Sequence, residues 1–310
     1  MYQGTGRRSN YFEGWYFKLA DQDAKNIYAI IPGVSINQND PHAFIQVLDG
    51  STGKSDNIRF DIDDFSYSKH NFKIWIGDNF FSKNRLNINL SKNNFNLSGD
   101  LKFSEIKNWP KTLISPGIMG WYSLLPFMEC YHGVISLDHS IEGELLIGGK
   151  KISYNGGKGY IEKDWGTSFP EAWVWMQSNH FGIKGTSFML SIAKIPWLRS
   201  YFTGLIAGFL IKDKLYRFTT YTGASVKKLE LKGRAVSIII EDSKYYLKID
   251  TAASITGKLL SPKSGKMEGR INESINSEIR VSLSSKNGST IFEGTGRAAG
   301  LEITNVSRLA

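Results

Sequence analysis

Apolar and polar residues alternate along most of the chain, a pattern that places side chains of opposite character on the two faces of a β-strand. Gly, Asn, Asp and Ser separate the alternating segments, and Gly (31 residues) far outnumbers Pro (8), as expected where many turns need a positive φ. Helical periodicity is hard to find. The pattern therefore predicts an all-β protein. Its clearest alternating segments are 57–67, 85–103, 237–250 and 278–285.

The two halves of the chain resemble each other, which predicts an internal duplication. The alignment places Trp15 opposite Trp173. We expect two tandem β-barrel or sandwich units of roughly 150 residues each. Chance similarity among strands is the alternative explanation. The matched pairs are 12–19 with 170–177, 85–104 with 245–262, and 152–162 with 290–302. The predicted units are 1–160, with an apolar insertion at 109–135, and 161–310.

Composition narrows the classes of function. The chain has 310 residues and a formal net charge of +9, but its Lys and Arg residues are scattered, so we expect no nucleic-acid partner. The single cysteine, Cys130, excludes an intramolecular disulfide, and no His or Cys pair has metal-ligand spacing, so no metal site is expected. Without a signal-like or membrane-spanning segment, the sequence favours a cytoplasmic protein with peripheral contact to a membrane surface.

Residues 156–166, GGKGYIEKDWG, carry the densest group of ionisable side chains. In a strand, Glu162 and Asp164 share one face with Tyr160, while Lys163 and Trp165 point to the other face. Two neighbouring carboxyl groups suit an acid site if they are buried, since each raises the cost of ionising the other. A salt bridge or a turn cap at a strand end is the equally reasonable structural explanation.

Three long segments resemble the signature segments of the tocopherol cyclase family, in the same order and with similar spacing. The resemblance extends from about residue 10 to residue 305. It implies a lipocalin-like fold with two β-barrel units and a cyclase that closes a prenylated hydroquinone to a chromanol without a redox cofactor; no cofactor of any kind is expected. The segments are YFEGWYFK (11–18), SPGIMGWYSLLPFMECYHGVISL (115–137) and GGKGYIEKDWGTSFPEAWVWMQSNHF (156–181).

The implied reaction needs an acid, a cation-tolerant lining and a base. A buried carboxyl group can protonate the alkene, aromatic faces can stabilise the resulting cation, and histidine can accept the phenolic proton. Each candidate has a structural alternative in core packing or in a hydrogen-bonded strand end. The candidate catalytic residues are Glu129, His132, Glu162, Asp164 and His180. The candidate ligand-binding residues are Trp15, Trp121, Tyr122, Trp173, Trp175, Gln177 and Asn179.

Two other functions are compatible with the same residues. A lipocalin-like barrel can carry an apolar isoprenoid or lipid without any chemistry. An isoprenoid hydratase would use the same acid and capture the cation with water instead of phenol. In every case the expected partner is an amphiphilic prenylated aromatic compound or another apolar small molecule.

Overall fold

The computed structural model describes residues 1–92, 95–113 and 115–309. Strands dominate it, and the helical segments among these residues are short 3₁₀ helices at Ile62–Asp64, Gly120–Leu124, Thr220–Thr222 and Val306–Arg308. The all-β prediction is therefore confirmed. In this part of the chain, no helix has both the length and the apolar character needed to cross a membrane.

The strands form two antiparallel sheets, one of 12 strands and one of 10 strands. The first sheet contains β1 (Tyr11–Ala20), β2 (Ile27–Ile36), β3 (His42–Asp49), β4 (Ser55–Asp61), β5 (Phe65–Tyr67), β6 (Lys73–Ile76), β7 (Asn79–Ser82), β8 (Arg85–Lys92), β9 (Phe95–Lys107), β10 (Cys130–Ile147), β11 (Lys150–Ser153) and β12 (Gly157–Gly166). The second sheet contains β13 (Trp173–Ser178), β14 (Thr186–Trp197), β15 (Ser200–Ile211), β16 (Lys214–Thr219), β17 (Ser225–Lys232), β18 (Ala235–Glu241), β19 (Tyr245–Ala252), β20 (Gly257–Lys263), β21 (Lys266–Ser285) and β22 (Thr290–Thr304).

Both sheets follow one strand order. In the first, the order is β4-β3-β2-β1-β12-β10-β9-β8-β7-β6-β5, and in the second it is β16-β15-β14-β13-β22-β21-β19-β18-β17. In each sheet, the strand that comes first in sequence pairs with the strand that comes last, β1 with β12 and β13 with β22. One strand outside each order, β11 or β20, pairs with β10 or β21 respectively. An internal duplication would produce this correspondence. The duplication itself stays a prediction.

The chain divides into two compact units whose boundary differs from the predicted one. A boundary at residue 160 would cut β12, which pairs with β1 on one side and with β10 on the other, so the whole strand belongs to the first unit. Most of the predicted insertion belongs to the second unit. The first unit comprises Met1–Pro110, Glu129–Phe169 and Gly257–Ile271, and the second comprises Lys111–Met128, Pro170–Thr256 and Asn272–Ala310.

Each unit has its own hydrophobic core. Trp15, Phe17 and Leu19 alternate along β1 and are fully buried in the core of the first unit together with Ile161 of β12. Burying a side chain of this size contributes about 1.5–3 kcal/mol. In the second unit, Val174 of β13 and other alternate strand residues form the corresponding core. The apolar positions of the alternating sequence pattern therefore lie on the strand face that is turned toward the core.

Candidate functional site

The central strand of the candidate site is β12, which lies between β1 and β10. Its register with β10 places His132 directly opposite Asp164 and Val134 opposite Glu162. Residues directly opposite each other in an antiparallel pair project to the same face, with Cβ atoms about 5 Å apart. The imidazole of His132 therefore lies on the face that carries both carboxylates of β12.

His132 lies between the two carboxylates. Its Nδ1 is 2.7 Å from Asp164 Oδ1, and its Nε2 is 3.5 Å from Glu162 Oε2. The hydroxyl of Tyr160 donates a hydrogen bond of 2.5 Å to Glu162 Oε2. We call these four side chains, of Tyr160, Glu162, Asp164 and His132, the His132 cluster. It links two acids, one base and one phenol in a continuous chain of polar contacts.

Burial differs within the His132 cluster. The side chains of Glu162, His132 and Asp164 are 6%, 13% and 23% exposed, so Asp164 is the carboxylate that a bound molecule can reach most easily. Burial, and next the carboxylate of Glu162, raise the pKa of Tyr160 well above its ordinary value. The phenol therefore keeps its proton at neutral pH and donates a hydrogen bond to Glu162. A hydrogen bond in such a shielded site is electrostatically stronger than one in water.

Chemically, this arrangement suits the transfer of a proton. The two ring nitrogens of His132 both face a carboxylate, which fixes the ring plane and lets a proton move between Nδ1 and Asp164. One imidazole and two carboxylates are also a donor set for a divalent cation, since their ligand atoms lie within 4.8 Å of one another. The 2.7 Å contact between His132 and Asp164 has the length of a charge-assisted hydrogen bond.

The opposite face of β12 carries a structural ion pair. Lys163 Nζ is 2.6 Å from Glu13 Oε1, and both side chains are buried. The same ammonium lies 4.2 Å from the ring centroid of Trp165, and Tyr11 donates a hydrogen bond to Glu13. The predicted alternation along β12 is confirmed by these contacts. Lys163 therefore has a structural role on the core face of β12.

Two other candidates in the first unit lie outside the His132 cluster. Trp15 pairs with Lys163 across β1 and β12, and its indole is fully buried against Phe72, with the ring centroids 6.0 Å apart. It therefore belongs to the core face, away from the acid face. The backbone carbonyl of Glu129 accepts a hydrogen bond from the Thr167 amide, which closes the end of the strand. Its carboxylate is not one of the acids grouped around His132.

The candidates on β13 belong to the second unit. Trp173, Trp175 and Gln177 are buried on one face of that strand, while Val174 and Met176 of the other face belong to the core. The indole of Trp173 donates a 2.7 Å hydrogen bond to Glu302. Alternation along β13 therefore turns these three candidates to the face opposite the core. Ligand binding by that face stays a prediction.

Asn179 and His180 follow β13 directly. The side chain of Asn179 is fully buried, and its Oδ1 lies 3.0 Å from Nδ1 of His180. The carbonyl of His180 accepts a hydrogen bond from the amide of Arg297. His180 thus has the hydrogen-bonded position at a strand end that was the structural alternative for it.

Trp121 and Tyr122 lie in the 3₁₀ helix Gly120–Leu124 of the second unit. Their rings stack on each other with centroids 4.0 Å apart, and both contact Trp197 of β14. They are therefore part of an aromatic group in that unit.

Sequence reasoning missed two polar groups. Tyr160 was placed on the acid face but was not expected to be a site residue, although its spacing of two from Glu162 is the signal that could have identified it. His139 had no expected partner. In the structure it is buried in the first unit, with Nδ1 2.9 Å from Ser136 Oγ, and desolvation lowers its pKa to about 3.

Comparison with known sequences identifies a family. The model of the family "Tocopherol cyclase-like" matches residues 91–305. A relative from Oryza sativa subsp. japonica, described as "Probable tocopherol cyclase, chloroplastic", is 28% identical over 108 residues. That match covers 34% of this chain and 23% of the relative, so the alignment spans about a quarter of the relative's length.

Solved structures share the fold at low sequence identity. CghA in complex with Sch210972 aligns with a TM-score of 0.57 and 9% identity, over 95% of this chain and 88% of that one. Kievitone hydratase from Nectria haematococca aligns with a TM-score of 0.51 and 11% identity, over 99% of this chain and 94% of that one. These likenesses confirm the predicted lipocalin-like all-β fold and, at such identities, show the fold alone.

Proposed function

Because this chain belongs to the tocopherol cyclase-like family, we propose that it is a cyclase that protonates the alkene of a prenylated hydroquinone and closes a chromanol ring. The observation that carries the proposal is the position of His132 between Asp164 and Glu162, on a strand face where all three side chains are largely shielded from water. An alkene is a weak base, so its protonation requires a proton donor held in a site that excludes competing water.

The proposed reaction is an isomerisation in which no electrons are gained or lost. A proton moves from the carboxyl group of Asp164 to the less substituted carbon of the prenyl double bond, which leaves a tertiary carbocation. The hydroquinone oxygen forms a C–O bond to that carbon. The phenolic proton then passes to the Asp164 carboxylate, which restores the acid for the next turnover.

The four members of the His132 cluster have different proposed roles. Asp164 is the acid because it is the more accessible carboxylate and contacts His132 Nδ1. His132 shares the proton with Asp164 and holds it in place. Glu162 faces the second ring nitrogen, and Tyr160 fixes Glu162 through its hydrogen bond, so both position the imidazole.

The test uses purified protein and a geranylgeranyl-substituted hydroquinone. We expect a chromanol of unchanged mass, detected by chromatography and mass spectrometry, and a loss of about 10²-fold or more in turnover for Asp164→Asn. Glu129→Gln is the matched control, because that carboxylate lies outside the His132 cluster, and it should retain turnover. Equal loss in both variants, or full activity of Asp164→Asn, would refute the proposed acid.

The same assay separates the alternatives. A hydratase would yield a product heavier by one water, a possibility that the fold shared with kievitone hydratase keeps open. A carrier would quench tryptophan fluorescence with saturation but give no product. A metal-dependent reaction would lose turnover after dialysis against a chelator and regain it with added Mg²⁺ or Zn²⁺. Each of these results would overturn the proposed metal-free cyclisation.

A further inference from the structure

The second unit carries a group of aromatic rings at one hairpin. Trp197 ends β14, and its ring centroid lies 5.8 Å from that of Tyr122, 5.5 Å from that of Phe127 and 5.6 Å from that of Phe202. Trp121 stacks on Tyr122. We call these five residues the aromatic patch. It joins the segment Lys111–Met128 to the hairpin of β14 and β15 within one unit.

Large apolar side chains in these same two segments are exposed. Leu113 is 99% exposed, Leu198 is 87% exposed and Leu124 is 66% exposed, and Trp121 and Phe127 of the patch are about half exposed. Single exposed leucines are common on soluble proteins, but a group of exposed leucines and large rings in the same two segments marks an interaction surface.

The backbone conformation of Leu198 is also unfavourable for a leucine. It occupies the turn between β14 and β15 with φ of 53°, a left-handed conformation that Asn or Gly adopts at lower cost than Leu. Its nearly complete exposure removes any packing gain that could offset this cost. A leucine at the tip of a hairpin is therefore explained better by a contact outside the unit than by the stability of the fold.

The charges of these two segments have one sign. Lys111 is the only charged residue in 111–128, and Arg199 is the only one in 195–203. Beside them, Lys194 lies 4.2 Å from the ring centroid of Tyr201 and pairs with Glu171, which also pairs with Arg308. Residues 111–128 and 195–203 thus contain basic residues and no acidic one, a charge balance that disfavours a second copy of the same surface and favours an anionic partner.

We propose that the aromatic patch, with Leu113, Leu124 and Leu198, docks onto the surface of a membrane that contains anionic lipid. The leucines enter the boundary between head groups and acyl chains, the Trp and Tyr rings lie at head-group level, and Lys111 and Arg199 contact the lipid phosphates. This inference concerns a surface of the second unit and does not depend on the reaction proposed for the His132 cluster.

The experiment is co-sedimentation of the full chain with vesicles that contain no prenylquinol. One set is phosphatidylcholine alone, and the other is an equimolar mixture of phosphatidylcholine and phosphatidylglycerol. The test variant is Leu124→Asn combined with Leu198→Asn, since asparagine tolerates the positive φ at position 198. The control is Leu231→Asn, which changes an exposed leucine on β17. Thermal unfolding of each variant verifies the fold.

We expect binding to the anionic vesicles that weakens with salt, falls by about ten-fold or more in the double variant, and is unchanged in Leu231→Asn. A blue shift of tryptophan emission should accompany binding. Absence of binding to both vesicle types would overturn the proposal, as would an equal loss in the control variant. Concentration-dependent dimerisation of the wild-type chain that the double variant abolishes would instead assign the surface to self-association.

Discussion

Acid should destabilise the first unit through His139. The imidazole is buried, and its Nε2 has no hydrogen-bond partner among the described residues, so protonation would place an uncompensated charge in the core. Desolvation lowers its pKa from 6.5 to about 3. Below pH 6.5 the unfolded chain therefore binds a proton that the folded chain does not, and stability falls as the pH drops toward 3. At about 1.36 kcal/mol per pH unit, the loss between pH 7 and pH 5 is about 2 kcal/mol.

The matched variant is His139→Asn, whose amide can replace the Nδ1 contact with Ser136 but cannot be protonated. Urea unfolding at pH 7 and pH 5 gives the free energy of unfolding of both proteins. The variant should lose ring packing against Phe103 at both pH values, yet its loss between pH 7 and pH 5 should be about 2 kcal/mol smaller than that of the wild type. His70→Asn, at an exposed histidine, is the control. An identical pH dependence in His139→Asn and wild type would refute the reasoning.

Two further substitutions test the packing of each unit by urea unfolding. Lys163→Met leaves the buried carboxylate of Glu13 without its cation and should destabilise the protein by about 3–5 kcal/mol. Adding Glu13→Gln to that variant should restore part of the lost stability. A change below about 1 kcal/mol in Lys163→Met would contradict a buried ion pair. Trp173→Phe removes the indole hydrogen bond to Glu302 and should cost about 1–2 kcal/mol, whereas an unchanged unfolding midpoint would show that this bond contributes nothing.

Local alternation predicted much of the site. Because side chains alternate along a strand, Glu162 and Asp164 were placed on one face with Tyr160, and Lys163 on the other, before any partner strand was known. The partner could not be predicted in this way. His132 precedes Asp164 by 32 residues, and its position opposite that acid depends on the pairing of β10 with β12.

The register of that pair is a long-range property. Irregularities follow Val134 and Ser136 in β10, so a count of residues along the strand does not give the register at its far end. The predicted boundary differs from that of the compact units for a related reason. The sequence repeat indicates where similar segments begin. The unit to which β12 belongs is determined instead by its pairing with β1, the first strand of the sheet.

The strand β12 joins the stability of the first unit to its proposed chemistry. Lys163 lies between Glu162 and Asp164 in sequence and is held on the core face by Glu13 and by the ring of Trp165. Because neighbouring side chains of a strand point to opposite faces, fixing Lys163 inward also fixes both carboxylates outward toward His132. The buried ion pair therefore sets the orientation of the acid face. Loss of Lys163 should consequently reduce turnover even under conditions where the variant remains folded.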